Sequence, residues 1–173
     1  MGKMHKRAEW YLYNYQKVKA REAKTRQEIV DDAVYAAYGS GDNTPVKHSV
    51  STSKTESGGI RLATARAKAI NEEDDLWIKA IENVWCAYTH EDKGLAYFME
   101  FGFGLTGRPV SKARAGAVRD EIMAALHIER VQTYYTYRNR VIETVVEEAL
   151  EIKAYNKAIR NGLFIGFPKM RNQ

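Results

Sequence analysis

Residues 127 to 140 read HIERVQTYYTYRNR, with three tyrosines, three arginines, two threonines and a glutamine, and only Ile128 and Val131 purely aliphatic. A helix turns about 100° per residue, which places Gln132, Thr133, Thr136, Tyr137 and Arg140 on one side of such a segment. Val131, Tyr134, Tyr135, Ile142, Val145 and Ala149 fall on the other side and are expected to be buried. The polar set has the chemistry of major-groove contact. A glutamine pairs with adenine, an arginine with guanine or phosphate, a threonine with phosphate or a thymine methyl, and a tyrosine hydroxyl with phosphate. Past Arg140 the outer side turns to Glu143, Glu147, Glu148 and Glu151, which phosphate repels, so contact is expected to end near Arg140. Arg138 points near the middle of the apolar side and must reach an edge, pair with a carboxylate, or mark a face rotated from this one.

Catalytic chemistry finds no comparable set of residues. His5, His48, His90 and His127 share no ligand spacing with each other or with Cys86, and no nucleophile elbow or phosphate-binding loop is present. Gly102, Gly104 and Gly107 spell G-x-G-x-x-G, but dinucleotide binding needs those glycines between a strand and a helix. The preceding segment reads as helical, so the glycines are taken as a helix stop and loop. No enzyme, cofactor or metal is expected.

The elements that position the reading segment are helical throughout. From Lys6 to Tyr38 there is no Gly or Pro, and Ile29, Val30, Ala33, Val34 and Ala37 repeat at helical spacing. Residues 39–59 are rich in Gly, Ser and Thr and read as a flexible linker. Helices are expected over about 60–70 and 72–89, the second with Asn71 as N-cap and EEDD in its first turn, where carboxylates favour the helix dipole. Trp77, Ile78, Ile81, Val84, Trp85 and Tyr88 form its apolar face, and Cys86 reads as a small core residue. A further helix turns Leu95, Phe98, Met99 and Phe103 inward. A short helix with Val118, Ile122, Ala125 and Leu126 on its apolar side then precedes a turn at 127–129 and a long helix from near Arg130. Two helices joined so closely carry the helix-turn-helix pattern. The fold class is therefore all-α, a helical scaffold with a C-terminal helix-turn-helix at about 112–150. Residues 1–38 are expected as an N-terminal helical arm and 60–173 as the helical domain.

Composition agrees with a soluble binding protein. A chain of 173 residues, 45% hydrophobic, can bury a core, and its single cysteine excludes a disulfide framework. No apolar run approaches the ~20 residues of a membrane span, and no secretory leader is evident. A cytoplasmic location is expected. The net charge of +5 is unevenly placed: residues 72–103 hold two cations against eight anions, while residues 104–140 hold seven cations against three anions. Arg108, Lys112, Arg114, Arg119 and Arg130 are candidates for phosphate contact, with the loop of the first three serving as a backbone clamp or simply as a solvated loop. The aromatic and basic run EWYLYNYQKVK near the start packs on its own domain or serves a partner. The apolar tail LFIGF near the end is expected to pack back, with homodimer contacts through the long helices as the second reading.

Three stretches, AEWYLYNYQKVK, IKAIENVW followed by LAYFMEFGF, and TYYTYRNRVIETVVEEALE, resemble in that order the RinA and ArpU families of phage and prophage transcriptional regulators. The resemblance implies a helix-turn-helix related to region 4 of sigma factors and activation of late packaging, morphogenesis or lysis genes in a bacterial host; an acidic or apolar helical surface is expected to contact RNA polymerase or a second subunit. By position, Thr133, Tyr134, Tyr135, Tyr137 and Arg138 match the reading-helix run of those families. The segment from Leu126 to Thr133 is one residue longer than their usual turn, and TGRPVSKARAG stands where a shorter connection is the rule. A promoter-binding regulator is the leading expectation. A small terminase subunit that binds DNA for packaging, and a helical adaptor that binds protein alone, are the alternatives.

Overall fold

The computed structural model describes residues 2–38, 72–107, 110 and 112–161, the side chains of 32–38 and 112 excepted. The fold is all-α. Helix α1 (Lys3–Tyr38), α2 (Glu72–Glu91) and α3 (Lys93–Tyr97) are followed by a π-helical turn (Phe98–Gly102). A 3-10 turn (Lys112–Arg114), α4 (Ala115–Ala125) and α5 (Val131–Arg160) complete the described residues. No helix among them is long and apolar enough to cross a membrane. The expected linker at 39–59, the helix at 60–70, the cap at Asn71 and the apolar tail lie outside the described residues.

The chain divides into two units, Met1–Gln16 with Leu76–Gln173, and Lys17–Asp75, so the division falls inside α1. In the larger unit the first turns of α1 are core rather than arm: Ala8, Tyr11, Leu12 and Tyr15 are buried. Tyr11 stacks on Trp77 with ring centroids 5.5 Å apart, and the Tyr15 hydroxyl donates to Glu82 at 2.8 Å. The aromatic run thus packs on its own domain, apart from Trp10, which is exposed. In the smaller unit, Arg21 pairs with Asp74, and Arg26 bridges Glu22 at 2.6 Å and Asp75 at 3.4 Å. These pairs tie the later turns of α1 to the acidic first turn of α2 and satisfy two carboxylates, Glu22 and Asp74, that are almost fully buried.

Helix α2 buries Trp77, Ile78, Ile81, Val84 and Tyr88 as its spacing predicts, and Trp85 is half-buried with its indole N–H donating to Glu100 at 3.2 Å. Cys86 corrects the sequence reading, because it is exposed. The wheel puts it nearly opposite the buried face of Trp77, Ile81, Val84 and Tyr88, and its small apolar character made it look like core when its position was not. Asp92 stops α2 and starts α3, its carboxylate accepting from the backbone N–H of Gly94 and Leu95 at 3.1 Å each. The π-helical turn then directs Phe98 and Met99 inward and leaves Phe101 half exposed. Gly102 ends that turn where a Cβ would stand 3.1 Å from Phe98 and 3.2 Å from Ile122, and Gly104 takes a left-handed φ of 74° to reverse the chain.

Candidate nucleic-acid interface

The helix pair α4–α5 begins with a closed turn. The backbone N–H of Ile128 donates to Met123 O at 2.8 Å and that of His127 to Ala124 O at 3.3 Å, the bonding of a Schellman motif with His127 left-handed at φ 52°. Glycine ordinarily fills that position, so nothing in the residue type of His127 announced it. The motif re-aims the chain within the five residues between α4 and α5, and Arg130 enters α5 in an extended conformation with no side-chain cap bond. Ile122, Ile128 and Tyr134 are buried at the centre of the pair, and the Tyr134 ring sits 5.0 Å from Phe98. Burial, then the nearby Tyr13, pushes the Tyr134 hydroxyl above its ordinary pKa.

On the outer side of α5, Gln132, Thr133, Thr136 and Arg140 are exposed and Tyr137 is half-buried. The Thr136 hydroxyl donates back to Gln132 O at 3.0 Å, which leaves its methyl and oxygen lone pairs outward. The inner stripe needs correction. Tyr134, Ile142, Val145 and Ala149 are buried as expected and Val141 and Val146 join them, but Val131 is 43% exposed and Tyr135 45%. Both lie in the first turns of α5, where only the side toward Phe98 is covered. Tyr135 instead stands edge-on to Tyr134, centroids 5.5 Å apart, and interacts with Arg119 of α4. The exposed first turns are thus polar on one side and apolar-aromatic on the next.

The cations are distributed unequally. Arg130 and Arg114 are exposed. Arg119 is half-buried and pairs with Asp120 at 2.8 Å; the hydrogen bond to Asp120 and its charge raise the guanidinium pKa, opposed by burial and aided by Tyr135. Arg119 is therefore a held cation, the sole one of the set already committed to a carboxylate among the described residues. Arg108 and the side chain of Lys112 lie outside the described residues. Arg138 finds the carboxylate its position demands, pairing with Glu9 of α1. Burial would lower the Arg138 pKa, but Tyr13 and Glu9 outweigh it and hold the guanidinium above its ordinary value.

Beside α4 an open cleft of about 290 Å³ is lined by Tyr97, Phe101, Arg114, Val118, Glu121 and Ile122 among others. Its signal in the sequence is faint, because it depends on the π-helical turn and on Gly104, neither of which has a periodicity. Among the described residues no three His, Cys, Asp or Glu side chains converge on a common point. Compared with protein-family models, curated proteins and solved structures, the chain has no match.

Proposed function

We propose that the protein is a DNA-binding transcriptional regulator whose α4–α5 pair acts as a helix-turn-helix, with the first turns of α5 in the major groove. The observation that carries this reading is the exposed row Gln132, Thr133, Thr136 and Arg140 on a helix whose opposite side is anchored by Tyr134, Val141 and Ile142. Base contact needs side chains that are free outward and fixed inward, and this row meets both needs. Arg130, at the uncapped start of α5, is placed where backbone N–H groups and a cation together favour a phosphate. Arg119 and Tyr135 flank the row, and Tyr137 at its edge contributes through its hydroxyl. The late-gene role rests on the resemblance to RinA and ArpU regulators.

The test is fluorescence anisotropy with DNA from upstream of the protein's own and neighbouring genes, across a salt series. Wild-type affinity is expected to fall with salt, and Arg140→Ala to cost ~1–3 kcal/mol of preference for target over random DNA. Equal loss on both DNAs would remove Arg140 from base reading. Absence of salt-dependent binding to any DNA would overturn the proposal in favour of a protein-binding adaptor.

A further inference from the structure

Of the α1 residues in the larger unit, four are exposed: Lys3, Lys6, Arg7 and Trp10. On a helix they share an arc of about 100°, opposite the buried Ala8, Tyr11, Leu12 and Tyr15. No carboxylate lies on that arc. Glu9, the one acid before residue 17, is half-buried and turned to Arg138. Among the described residues Lys3 and Lys6 form no ion pair, and the indole N–H of Trp10, a side chain 50% exposed, has no hydrogen-bond partner.

Helix physics opposes this arrangement on three counts. The first turn of α1 holds no acid, and Lys3 and Lys6 stand there against the positive end of the helix dipole. Lys3 with Lys6, and Lys3 with Arg7, are like charges at i,i+3 and i,i+4 spacing. Trp10 leaves a large apolar ring in water. One kind of partner answers all three, a polyanion that neutralises the cations and covers the indole.

We infer that this face is a second DNA contact, a clamp on the phosphodiester backbone that carries no sequence information. The helix rises about 6 Å from Lys3 to Arg7, which is about the axial run of two phosphates on one strand. The cations neutralise phosphates, while Trp10 covers the adjoining sugar and donates its indole N–H to a phosphate oxygen. A membrane surface fits less well, because a helix lying in the interface buries a broad apolar side there, and in α1 that side is the protein core. The inference takes from the proposed function that the ligand is duplex DNA, and it is independent of α5 as the reader.

Fluorescence anisotropy with target and random duplexes over a salt series tests it, with acrylamide quenching of tryptophan fluorescence as a direct readout of the face. The Lys3→Gln, Lys6→Gln double variant should lower the magnitude of the salt slope by about 2 on both duplexes and leave the preference for target unchanged. Its denaturation midpoint should hold or rise, since repulsion within the helix is relieved. Saturating DNA should protect the wild type from acrylamide. Trp10→Phe should lose that protection, because Trp77 is buried and Trp85 half-buried. A double variant that keeps the wild-type slope, or an indole that bound DNA leaves unprotected, overturns the clamp and leaves α5 as the reader untouched. A wild type that binds no duplex overturns both proposals. Binding to phosphatidylserine vesicles that the double variant abolishes, with its DNA slope unchanged, overturns the clamp in favour of a membrane surface.

Discussion

Replacing Arg138 by methionine removes a cation from the inner side of α5 while keeping much of its apolar stem. In the wild type its guanidinium pairs with Glu9, with the two side chains 17% and 28% exposed. At an effective dielectric near 20, a pair in contact is worth roughly 4 kcal/mol before the cost of drying both charges is subtracted. Burial opposes the charge of Arg138 and offsets part of that gross attraction. A net coupling of ~1–2 kcal/mol remains, above an exposed pair and below a fully buried one. The assay is a double-mutant cycle of Arg138→Met and Glu9→Gln by urea denaturation, run at low and high salt. Each single change should lower the midpoint without changing the slope, and the coupling should largely survive salt because both side chains are mostly buried. A coupling below ~0.3 kcal/mol, or one abolished by salt, would show that the pair behaves as a surface contact and that α1 is not tied to α5 through it.

Other outcomes follow from single features. His127→Gly should stabilise by up to ~1 kcal/mol by relieving the left-handed backbone, while His127→Val should destabilise by more than that, both read by denaturant midpoint. Gly102→Ala should destabilise, since the added methyl meets Phe98 and Ile122, each only 1% exposed and unable to yield; thermal melting compares it with wild type. The raised Tyr134 pKa gives an alkaline prediction. Its folded pKa lies above the unfolded value of ~10, so its contribution is intact below that pH and is lost as pH rises through the folded pKa. Tyr134→Phe should therefore lose less stability than wild type between pH 9 and 11.5, a range set around that ~10, and differ little near pH 7.

The helices were legible because most of their signals are local. The unbroken run before Tyr38, the acidic first turn of α2 and the 3.6-residue repeat of its core each state an element without knowledge of its neighbours. Most of the outer row of α5 was legible for the same reason, since the residues opposite a strong apolar stripe face water. Arg138 was legible as a problem whose solution was not, because Glu9 is 129 positions away. Val131 and Tyr135 were misread through an assumption that the stripe stays covered to the helix start. Cover depends on where Phe98 ends, which is a tertiary fact. Cys86 was misread because small apolar residues are neutral between surface and interior, and its helix had buried neighbours enough without it.

On the proposed reading one helix does two jobs on opposite sides, and that makes them separable. The inner side of α5 sets stability through Tyr134, Arg138, Val141 and Ile142, all tied to the helical body. The outer side, on the proposed reading, sets DNA affinity through side chains that are exposed, with Tyr137 half-buried at their edge. Arg130→Ala should then lower the magnitude of the slope of log affinity against log salt by about 1, one phosphate contact, and leave the denaturation midpoint where it was. Arg138→Met should do the reverse, lowering the midpoint and leaving the slope alone. If Arg138→Met removes the salt-dependent binding while the protein remains folded at the assay temperature, the inner side is itself part of the contact, and α5 would have to enter the groove rotated from the orientation its exposed row implies.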